Sequence, residues 1–249
     1  MEPDLPAITA EFHAAVRYVA TCAHRDTCLR DCGTMIPERP PSPDYIGPRY
    51  AGLVIVGANP GNGSNGAQTA NDTLMERLMR QVGEEPDAAA FHALMKFLPT
   101  SMLEWKQVVS ASHRQILGFD IEEIAYINLV KCKTTSASAD PFDTVGEAVT
   151  QRCWKTYTAY QLQRLRPSHV IGLWKGIDAV LETLGYDIQG KTFRLPRGGD
   201  TEVIDVVYGY HNGQRSLTKD QRLADAKRVV DDFLAQQARH RTDVKRRDA

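Results

Sequence analysis

Five cysteines are the residues of this chain whose type and spacing most directly indicate chemistry. Cys22, Cys28 and Cys32 lie within eleven residues, in the loop-like stretch CAHRDTCLRDCG, and Cys132 and Cys153 follow much later. A single free cysteine usually packs as a small apolar side chain, but three so close together do not follow a core pattern. Four thiolates from two pairs of segments would hold an iron–sulfur cluster or a zinc ion, and their spacing does not choose between these metals.

Side-chain amides and a histidine follow three of the predicted strands. Asn59 lies in the loop GANPG at residues 57–61, Asn128 lies near the end of the next strand, and His211 follows the last one. Ligands of α/β sheets bind outside the carboxyl ends of the strands, so we expect these side chains to converge on one crevice. An amide both donates and accepts hydrogen bonds, which suits a flat polar heterocycle. The alternative is that each residue only caps a turn.

The sequence alternates between strand and helix patterns, and this alternation predicts an α/β fold that would position these residues. We expect a three-layer α/β/α domain with a mainly parallel, four-stranded central sheet and a single domain over residues 1–249. Repeated proline excludes regular structure over 38–49, a Gly/Asn-rich loop covers 57–71, and the basic tail from about 239 is expected to be mobile. The strands are predicted at 53–56, 125–130, 169–174 and 203–208, and the helices at 8–22, from 72, and at 88–117, 146–165, 177–185 and 218–237.

Composition excludes several classes of protein. The 249 residues include 30 Lys+Arg and 31 Asp+Glu, so the chain is not uniformly basic, although a local basic patch remains compatible with these totals. No apolar run reaches the roughly 18–20 residues that span a bilayer. The acidic N-terminus has no basic region followed by an apolar stretch, as a secretory signal would. We therefore expect a cytoplasmic protein with reduced cysteines and no membrane association.

Four segments, in order along the chain, resemble the motifs of the uracil-DNA glycosylase superfamily. VIVGANPG resembles the first motif, and IAYINLVKC resembles the second-strand motif of the iron–sulfur (family 4 type) members. The segment VTQRCWKTYTAY resembles the helix with the next cluster cysteine, and VVYGYHNGQRSL resembles the last motif, usually His-Pro-Ser. The resemblance implies the fold of that superfamily and a DNA glycosylase that flips out a uracil or modified pyrimidine and hydrolyses its N-glycosidic bond.

The resemblance also implies residue roles in the pocket. Asn59 would position the attacking water, His211 would stabilise the departing base, and Asn128 would read the edge of the base. Gly57, Ala58 and Gly61 would line the substrate site.

A 4Fe–4S cluster is implied by the same resemblance, with zinc as the less favoured metal. Its ligands would be Cys28, Cys32, Cys132 and Cys153, with Cys22 as the spare. A choice of Cys22 together with Cys28 or Cys32 stays open.

Departures from the family pattern bear on the substrate. Gly61 stands where the fastest uracil enzymes carry a tyrosine that blocks a C5 substituent, and residues 62–72 contain no aromatic residue to stack on uracil. The last motif reads His-Asn-Gly instead of His-Pro-Ser. These changes favour a larger or modified pyrimidine, including a modified cytosine, over strict uracil specificity.

Two other functions fit the sequence. One is a catalytically silent DNA-binding relative, and the other is a nucleotide-binding enzyme that uses the G-x-G-x-x-G at residues 61–66. In the favoured interpretation the partner is DNA and the protein is a monomer. Lys131 is a candidate phosphate contact, with a merely exposed lysine as the alternative, and the basic tail would add salt-dependent affinity for DNA.

Overall fold

The structure is a computed structural model of one chain, and it describes only part of the sequence. The described residues are 5–58, 70–84, 88–104, 117–135, 144–172, 181–182, 186, 188–189, 192–197, 202–210 and 218–247.

The described residues include seven strands, which form one mixed sheet in the order β1-β3-β2-β4-β7-β6-β5. Four central strands, β3, β2, β4 and β7, are parallel to one another. The edge strands β1, β6 and β5 pair antiparallel. The strands are β1 (Tyr45–Ile46), β2 (Leu53–Gly57), β3 (Ile124–Asn128), β4 (His169–Gly172), β5 (Ile188–Gln189), β6 (Thr192–Arg197) and β7 (Glu202–Tyr210).

The four predicted strands are confirmed as the parallel centre, but the prediction of a four-stranded, mainly parallel sheet is too narrow. Two of the additional strands, β1 and β5, have only two residues each, which is too short for a periodic pattern. The third, β6, contains Pro196. Proline has no N–H to donate to a neighbouring strand, so its presence argues against a strand when only the sequence is considered. The whole sheet is therefore mixed.

Both faces of β2, β3 and β4 are covered. Every residue of β2, β3 and β4 is buried. Successive side chains of a strand point to opposite faces of a sheet, so burial of both the odd and the even residues requires chain on both sides. This explains why these strands are continuous apolar runs, without the alternation of a half-exposed strand.

The helices cover the sheet with the apolar residues along one side of each helix. In the first helix, Ile8, Phe12, Ala15, Val16 and Val19 are buried at the predicted helical spacing. The α-helices are α1 (Leu5–Ala20), α2 (Arg25–Asp31), α3 (Ala70–Glu84), α4 (Ala89–Glu104), α5 (Glu147–Cys153), α6 (Ala159–Leu165) and α7 (Lys219–Arg247), with a 3-10 turn at Ile121–Glu123. Of the helix predicted at 177–185, only residues 181–182 are helical within the described part of the chain.

A π-helical turn, Trp154–Thr158, joins α5 directly to α6. The predicted helix at 146–165 is thus confirmed as one helical stretch with a wider turn directly after Cys153. It ends at Arg166, which has a left-handed φ of 49°. Because proline disfavours the α conformation of the residue before it, Pro167 explains why the helix stops there. Trp154 in the π turn is buried and packs edge-on against Tyr186, as a core residue.

The proline-rich segment is not irregular throughout, contrary to the prediction. Tyr45 and Ile46 pair antiparallel with Tyr126 and Ala125 at the edge of the sheet. Main-chain contacts continue upstream, where the Ser42 N–H donates to the Lys131 carbonyl over 2.6 Å and the Ile36 N–H donates to the Lys133 carbonyl. Proline is tolerated at a sheet edge because one side of an edge strand needs no N–H donors. We call residues 34–46 the edge segment.

The last helix is longer than predicted. Residues from 239 onward, expected to form a mobile tail, continue α7 to Arg247. The helix packs on β4 and β7 through Ala226, Val229, Val230 and Phe233. Gln237 then donates to the Ala51 carbonyl, which lies just before β2. The basic end of α7 therefore extends past the amino ends of the strands. No helix in the described ranges has both the length and the apolar character needed to cross a membrane.

His169, the first residue of β4, is buried against α7. Its Nε2 lies 2.9 Å from the Asp232 carboxylate, its Nδ1 lies 2.8 Å from the Ser168 hydroxyl, and its ring packs edge-on against Phe233. Burial lowers the pKa of His169, and Asp232 offsets this only in part. These contacts give His169 a structural role between β4 and α7.

The lowered pKa of His169 gives an expected pH dependence of stability. The folded protein binds this proton less readily than the unfolded chain, so the contribution of His169 is present above the unfolded pKa of about 6.5 and is lost as the pH falls below it. We expect the stability difference between the parent protein and His169→Gln to shrink between about pH 7.5 and pH 5.5. Urea unfolding at both pH values measures this, and a constant difference would contradict the prediction.

Candidate functional site

The sheet topology marks one crevice as the favoured ligand site. From β2 the chain crosses to β3 on one side, and from β3 it crosses to β4 on the other side of β2. Neighbouring strands whose connections depart in opposite directions form the switch point at which open α/β sheets bind ligands. Gly57 ends β2 and is paired with Asn128, which ends β3. The connection after β2 leads to β3, and the chain after β4 leads on toward β7, so the switch point lies between β2 and β4. Gly57 therefore borders the crevice, and Asn128 lies one strand further out.

Gly57 is required by close packing at this point. A β-carbon at Gly57 would lie 2.4 Å from the Tyr126 hydroxyl and 2.7 Å from the Asn128 side-chain oxygen. Contacts under 3.0 Å are not tolerated, so any other residue would displace both polar groups. Gly57, Tyr126 and Asn128 thus form a compact polar floor at the ends of β2 and β3.

Asn128 presents an unused hydrogen-bond donor in this floor. The residue is 1% exposed, and its Nδ2 has no hydrogen-bond partner among the described residues. Its Oδ1 lies 3.5 Å from the Tyr126 hydroxyl. A buried donor without a partner costs about 1–3 kcal/mol, and such groups are rare in native proteins unless they serve a function. The arrangement is suited to a ligand that brings an acceptor, such as a carbonyl oxygen or a ring nitrogen.

The main chain around Asn128 is held from two directions. The Thr158 hydroxyl, at the end of the π turn, lies 3.2 Å from the Asn128 carbonyl and 2.9 Å from the Leu129 carbonyl. From the edge segment, Asp44 accepts the Asn128 N–H over 2.9 Å. These contacts come from residues 30 and 84 positions away in sequence, so the position of Asn128 depends on tertiary packing.

Asp44 is also the centre of a buried ion pair. Its carboxylate lies 3.1 Å from Lys131 Nζ and accepts from the Gln161 amide over 2.7 Å. Asp44 is 0% exposed and Lys131 is 2% exposed. Burial lowers the pKa of Lys131, and Asp44 raises it again in part. Lys131 is enclosed in this network, so both expectations for it, a phosphate contact and an exposed lysine, are wrong.

A second buried cation lies two residues further along the same loop. Lys133 Nζ lies 3.0 Å from Glu76 and 3.3 Å from Asp72, both on α3. Arg39 of the edge segment pairs with the same glutamate over 3.5 Å. The loop after β3 is therefore tied by charge both to α3 and to the edge segment, which gives the residues within it defined positions.

The predicted cysteine ligands are all within the described residues. Cys28 lies on α2, Cys132 follows β3 and Cys153 ends α5, and these three are buried. Cys22 follows α1 and is partly exposed, and all five cysteines are free thiols.

Four of these thiols interact electrostatically. Burial is the largest cause of the raised pKa of Cys132, and the thiols of Cys153, Cys22 and Cys28 raise it further. Burial likewise raises the pKa of Cys153 to about 11, against a lowering contribution from the main-chain N–H of Lys131, and Cys28 and Cys22 again act on it. Four thiols from separate segments therefore lie near one another.

The contacts of Cys32 are with two threonines. Its sulfur lies 3.0 Å from the Thr34 hydroxyl and 3.9 Å from the Thr144 carbonyl. The cause is local, because Cys32 caps α2 in an extended conformation, with φ −138° and ψ 106°. The helical spacing of four residues between Cys28 and Cys32 therefore does not place the two sulfurs on one face.

Arg152 adds positive charge beside the thiols. It donates to the Cys28 sulfur over 3.1 Å and to the Asp31 carboxylate over 2.9 Å. A guanidinium favours a thiolate over a thiol at the sulfur it contacts. Within the described ranges, however, no group of three or more His, Cys, Asp or Glu side chains has the arrangement needed to hold a single metal ion.

Several predicted site residues lie outside the described part of the chain. These are Asn59, Gly61 and His211, so their roles stay predictions. Ala58 is within the described part, is buried, and accepts the Val130 N–H through its carbonyl over 2.9 Å.

The basic end of α7 lies at the amino ends of the strands, which is the opposite end of the sheet from Gly57 and Asn128.

Four residues that contribute to the site were not among the site residues predicted from the sequence. They are Asp44, Tyr126, Thr158 and Gln161. Asp44 sits between prolines in a segment that reads as a loop, and Gln161 and Thr158 look like ordinary helix positions. Tyr126 alone carried a signal, since it precedes Asn128 by two residues on the same face of β3.

No protein-family model and no curated protein matches the chain significantly.

The buried ion pair predicts a large cost for removing one partner. Lys131→Met leaves the Asp44 carboxylate buried without its counter-charge, and we expect the free energy of unfolding to fall by about 3–5 kcal/mol. The double variant Asp44→Asn/Lys131→Met removes both charges and should recover most of this loss. Urea unfolding measures both effects, and a double variant no more stable than the single one would contradict the interpretation.

Proposed function

We propose that this protein is a DNA glycosylase that flips a pyrimidine out of DNA and hydrolyses its N-glycosidic bond. In this proposal the fold is the three-layer uracil-DNA glycosylase architecture, with the parallel strands β3, β2, β4 and β7 as its central sheet. The observation that carries the proposal is the buried, unpartnered amide of Asn128 beside Gly57, which borders the switch point of the sheet. An enzyme that reads a flipped base needs such a donor at the base edge.

The position of β7 supports a role for His211. This residue directly follows Tyr210, the end of β7, which is separated from β2 only by β4. With strands about 4.8 Å apart, the ends of β3 and β7 lie about 14 Å from each other. The ends of these two strands thus leave room between them for a pyrimidine and its sugar.

The proposed chemistry assigns one task to each of these residues. Cleavage of the N-glycosidic bond develops positive charge on the sugar and negative charge on the departing base. His211 donates a hydrogen bond to the base oxygen and stabilises that anion, and Asn128 holds the base edge. Asn59 orients the attacking water but cannot take its proton as a carboxylate would, so we expect slower hydrolysis than in an aspartate-bearing enzyme.

The substrate in this proposal is uracil or a larger, modified pyrimidine. Residue 61 is a glycine, and residues 62–72 contain no aromatic side chain. In this proposal no bulky side chain from this loop blocks a substituent at C5 of the base. The experiment is direct: duplexes with uracil, a G·T mismatch or C5-modified cytosines are incubated with the protein, and abasic sites are detected by alkaline cleavage. Tight binding without release of any base would favour the silent DNA-binding alternative.

We also propose a 4Fe–4S cluster, held by Cys22, Cys28, Cys132 and Cys153. This is one of the ligand choices that the sequence leaves open, and the mutual electrostatic effects of these four thiols favour it over a set with Cys32. A zinc ion would bring its sulfurs within about 4 Å of one another, since each Zn–S bond is about 2.3 Å. In a cluster each thiolate binds a different iron, which suits thiols that are near one another but do not converge on one point.

The cluster would act here as a structural tie. It would connect α1 and α2 to the loop after β3 and to α5, next to Arg152 and Lys131, whose positive charges offset those of the thiolates. Free cysteines of this kind fit a reducing compartment, and we place the protein in the cytoplasm as a monomer with DNA as its partner.

The ligand set predicts different outcomes for two cysteine variants. Cys22→Ser should lose most of the iron and of the brown absorbance near roughly 400 nm that marks iron–sulfur centres, because a ligand is removed. Cys32→Ser is the matched control and should retain both. Iron analysis and the visible spectrum of protein purified without oxygen measure this. Iron loss in Cys32→Ser alone, or a colourless parent protein with zinc, would contradict the proposal.

The residue roles predict the kinetics of base release. His211→Ala should lower the single-turnover rate roughly 10²–10³-fold, the usual effect of removing one preorganised donor. Asn128→Leu should also reduce it and weaken discrimination between bases, while Asn59→Ala should lose activity. His92→Ala, at an exposed position on α4, is the control and should match the parent. Unchanged rates in His211→Ala would remove that residue from the mechanism.

A further inference from the structure

The edge segment carries a carboxylate that no sequence motif of the proposed function includes. Asp44 is completely buried, and its two oxygens receive hydrogen bonds from three groups: the main-chain N–H of Asn128, the ammonium of Lys131 and the amide of Gln161. Lys131 Nζ also contacts the Gln161 oxygen over 2.5 Å. All polar groups of this network are therefore paired, which makes it rigid.

The contact between Asp44 and Asn128 occurs where the sheet pairing is interrupted. Main-chain pairing of the edge segment runs through Ile46 and Tyr45, opposite Ala125 and Tyr126. Main-chain pairing resumes where the Ser42 N–H donates to the Lys131 carbonyl. Between these points the side chain of Asp44 takes the Asn128 N–H in place of a strand carbonyl. The last residue of β3 is thus held by a carboxylate at the edge of the sheet.

We propose that Asp44 is a positioning residue for the pocket, which fixes the main chain of Asn128 so that its side-chain amide is held against the edge of the bound pyrimidine. This inference rests on the proposed function. The amide has one free donor, Nδ2, and its oxygen is confined by Gly57 and Tyr126. Rotation of the main chain at Asn128 would move that donor, and a misplacement of about 1 Å can cost roughly 10²-fold in rate.

Lys131 has a supporting part in the same arrangement. It supplies the counter-charge that allows a carboxylate to be buried at this point, and its main-chain N–H faces the Cys153 thiol. Hence the same residue connects the floor of the pocket to the cysteine group. The ion pair itself is not needed to hold Asn128, since a neutral acceptor at position 44 could receive the same N–H.

This separation of roles allows a matched pair of variants. Asp44→Asn/Lys131→Met and Asp44→Leu/Lys131→Met both lack the buried charges. They differ in whether the side chain at position 44 can accept the Asn128 N–H and pair with Gln161. We expect the Asn-containing double variant to stay within about threefold of the parent single-turnover rate, and the Leu-containing one to fall roughly ten- to hundredfold, with similar affinity for DNA. A merely structural role would affect both variants alike.

Two measurements decide the outcome. Single-turnover base release and DNA affinity are compared for the parent and both double variants, and hydrogen exchange is followed in the peptide that contains Asn128. Faster exchange and slower release in the Leu-containing variant alone support the proposal. Equal release by the two double variants, or equal exchange, would overturn it even in an active enzyme. If the parent protein releases no base from any duplex, the proposed function itself has failed, and this inference falls with it.

Discussion

The hydrogen-bond network around the buried side chain of Asp44 is the constraint on which the arrangement of the site depends. It joins the edge segment to the loop after β3, and through Gln161 it reaches α6. Two charges in the protein interior are stabilising only if each is fully hydrogen-bonded, and here the carboxylate receives bonds from Lys131, Gln161 and the Asn128 main chain. The hydrogen bond from Asn128 to Asp44 thereby specifies one position for the end of β3.

The two parts of the candidate site share this loop. Asn128 ends β3 at the crevice, and Cys132 follows four residues later among the other thiols. Lys131 lies between them and contacts both the Asp44 carboxylate and, through its main chain, Cys153. A metal centre in the cysteine group would therefore stabilise the same short segment that carries the unpartnered amide of Asn128. The π turn after Cys153 contributes from the other side, since it ends at Thr158 against the Asn128 carbonyl.

Much of the fold could be predicted because its central elements have strong local patterns. The continuous apolar runs of β2 and β3 and the spaced apolar residues of α1 are found where they were expected. Elements without such a pattern were missed. The two-residue β1 sits among prolines, and the end of α7 continues as a helix although its last ten residues are mostly polar and basic. In both cases packing or continuity with a neighbouring element supplies what local preference does not.

The sequence by itself determined the parallel centre of the sheet, the placement of Asn128 at a strand end and the presence of enough thiols for a metal centre, because each follows from residue type and spacing. Only the tertiary structure decided which groups meet. It placed Asp44 against a residue 84 positions away, enclosed Lys131, and put the Cys32 sulfur against Thr34 and Thr144. These outcomes depend on burial and on charge pairing between distant segments. Neither can be read from the spacing of residues along the chain.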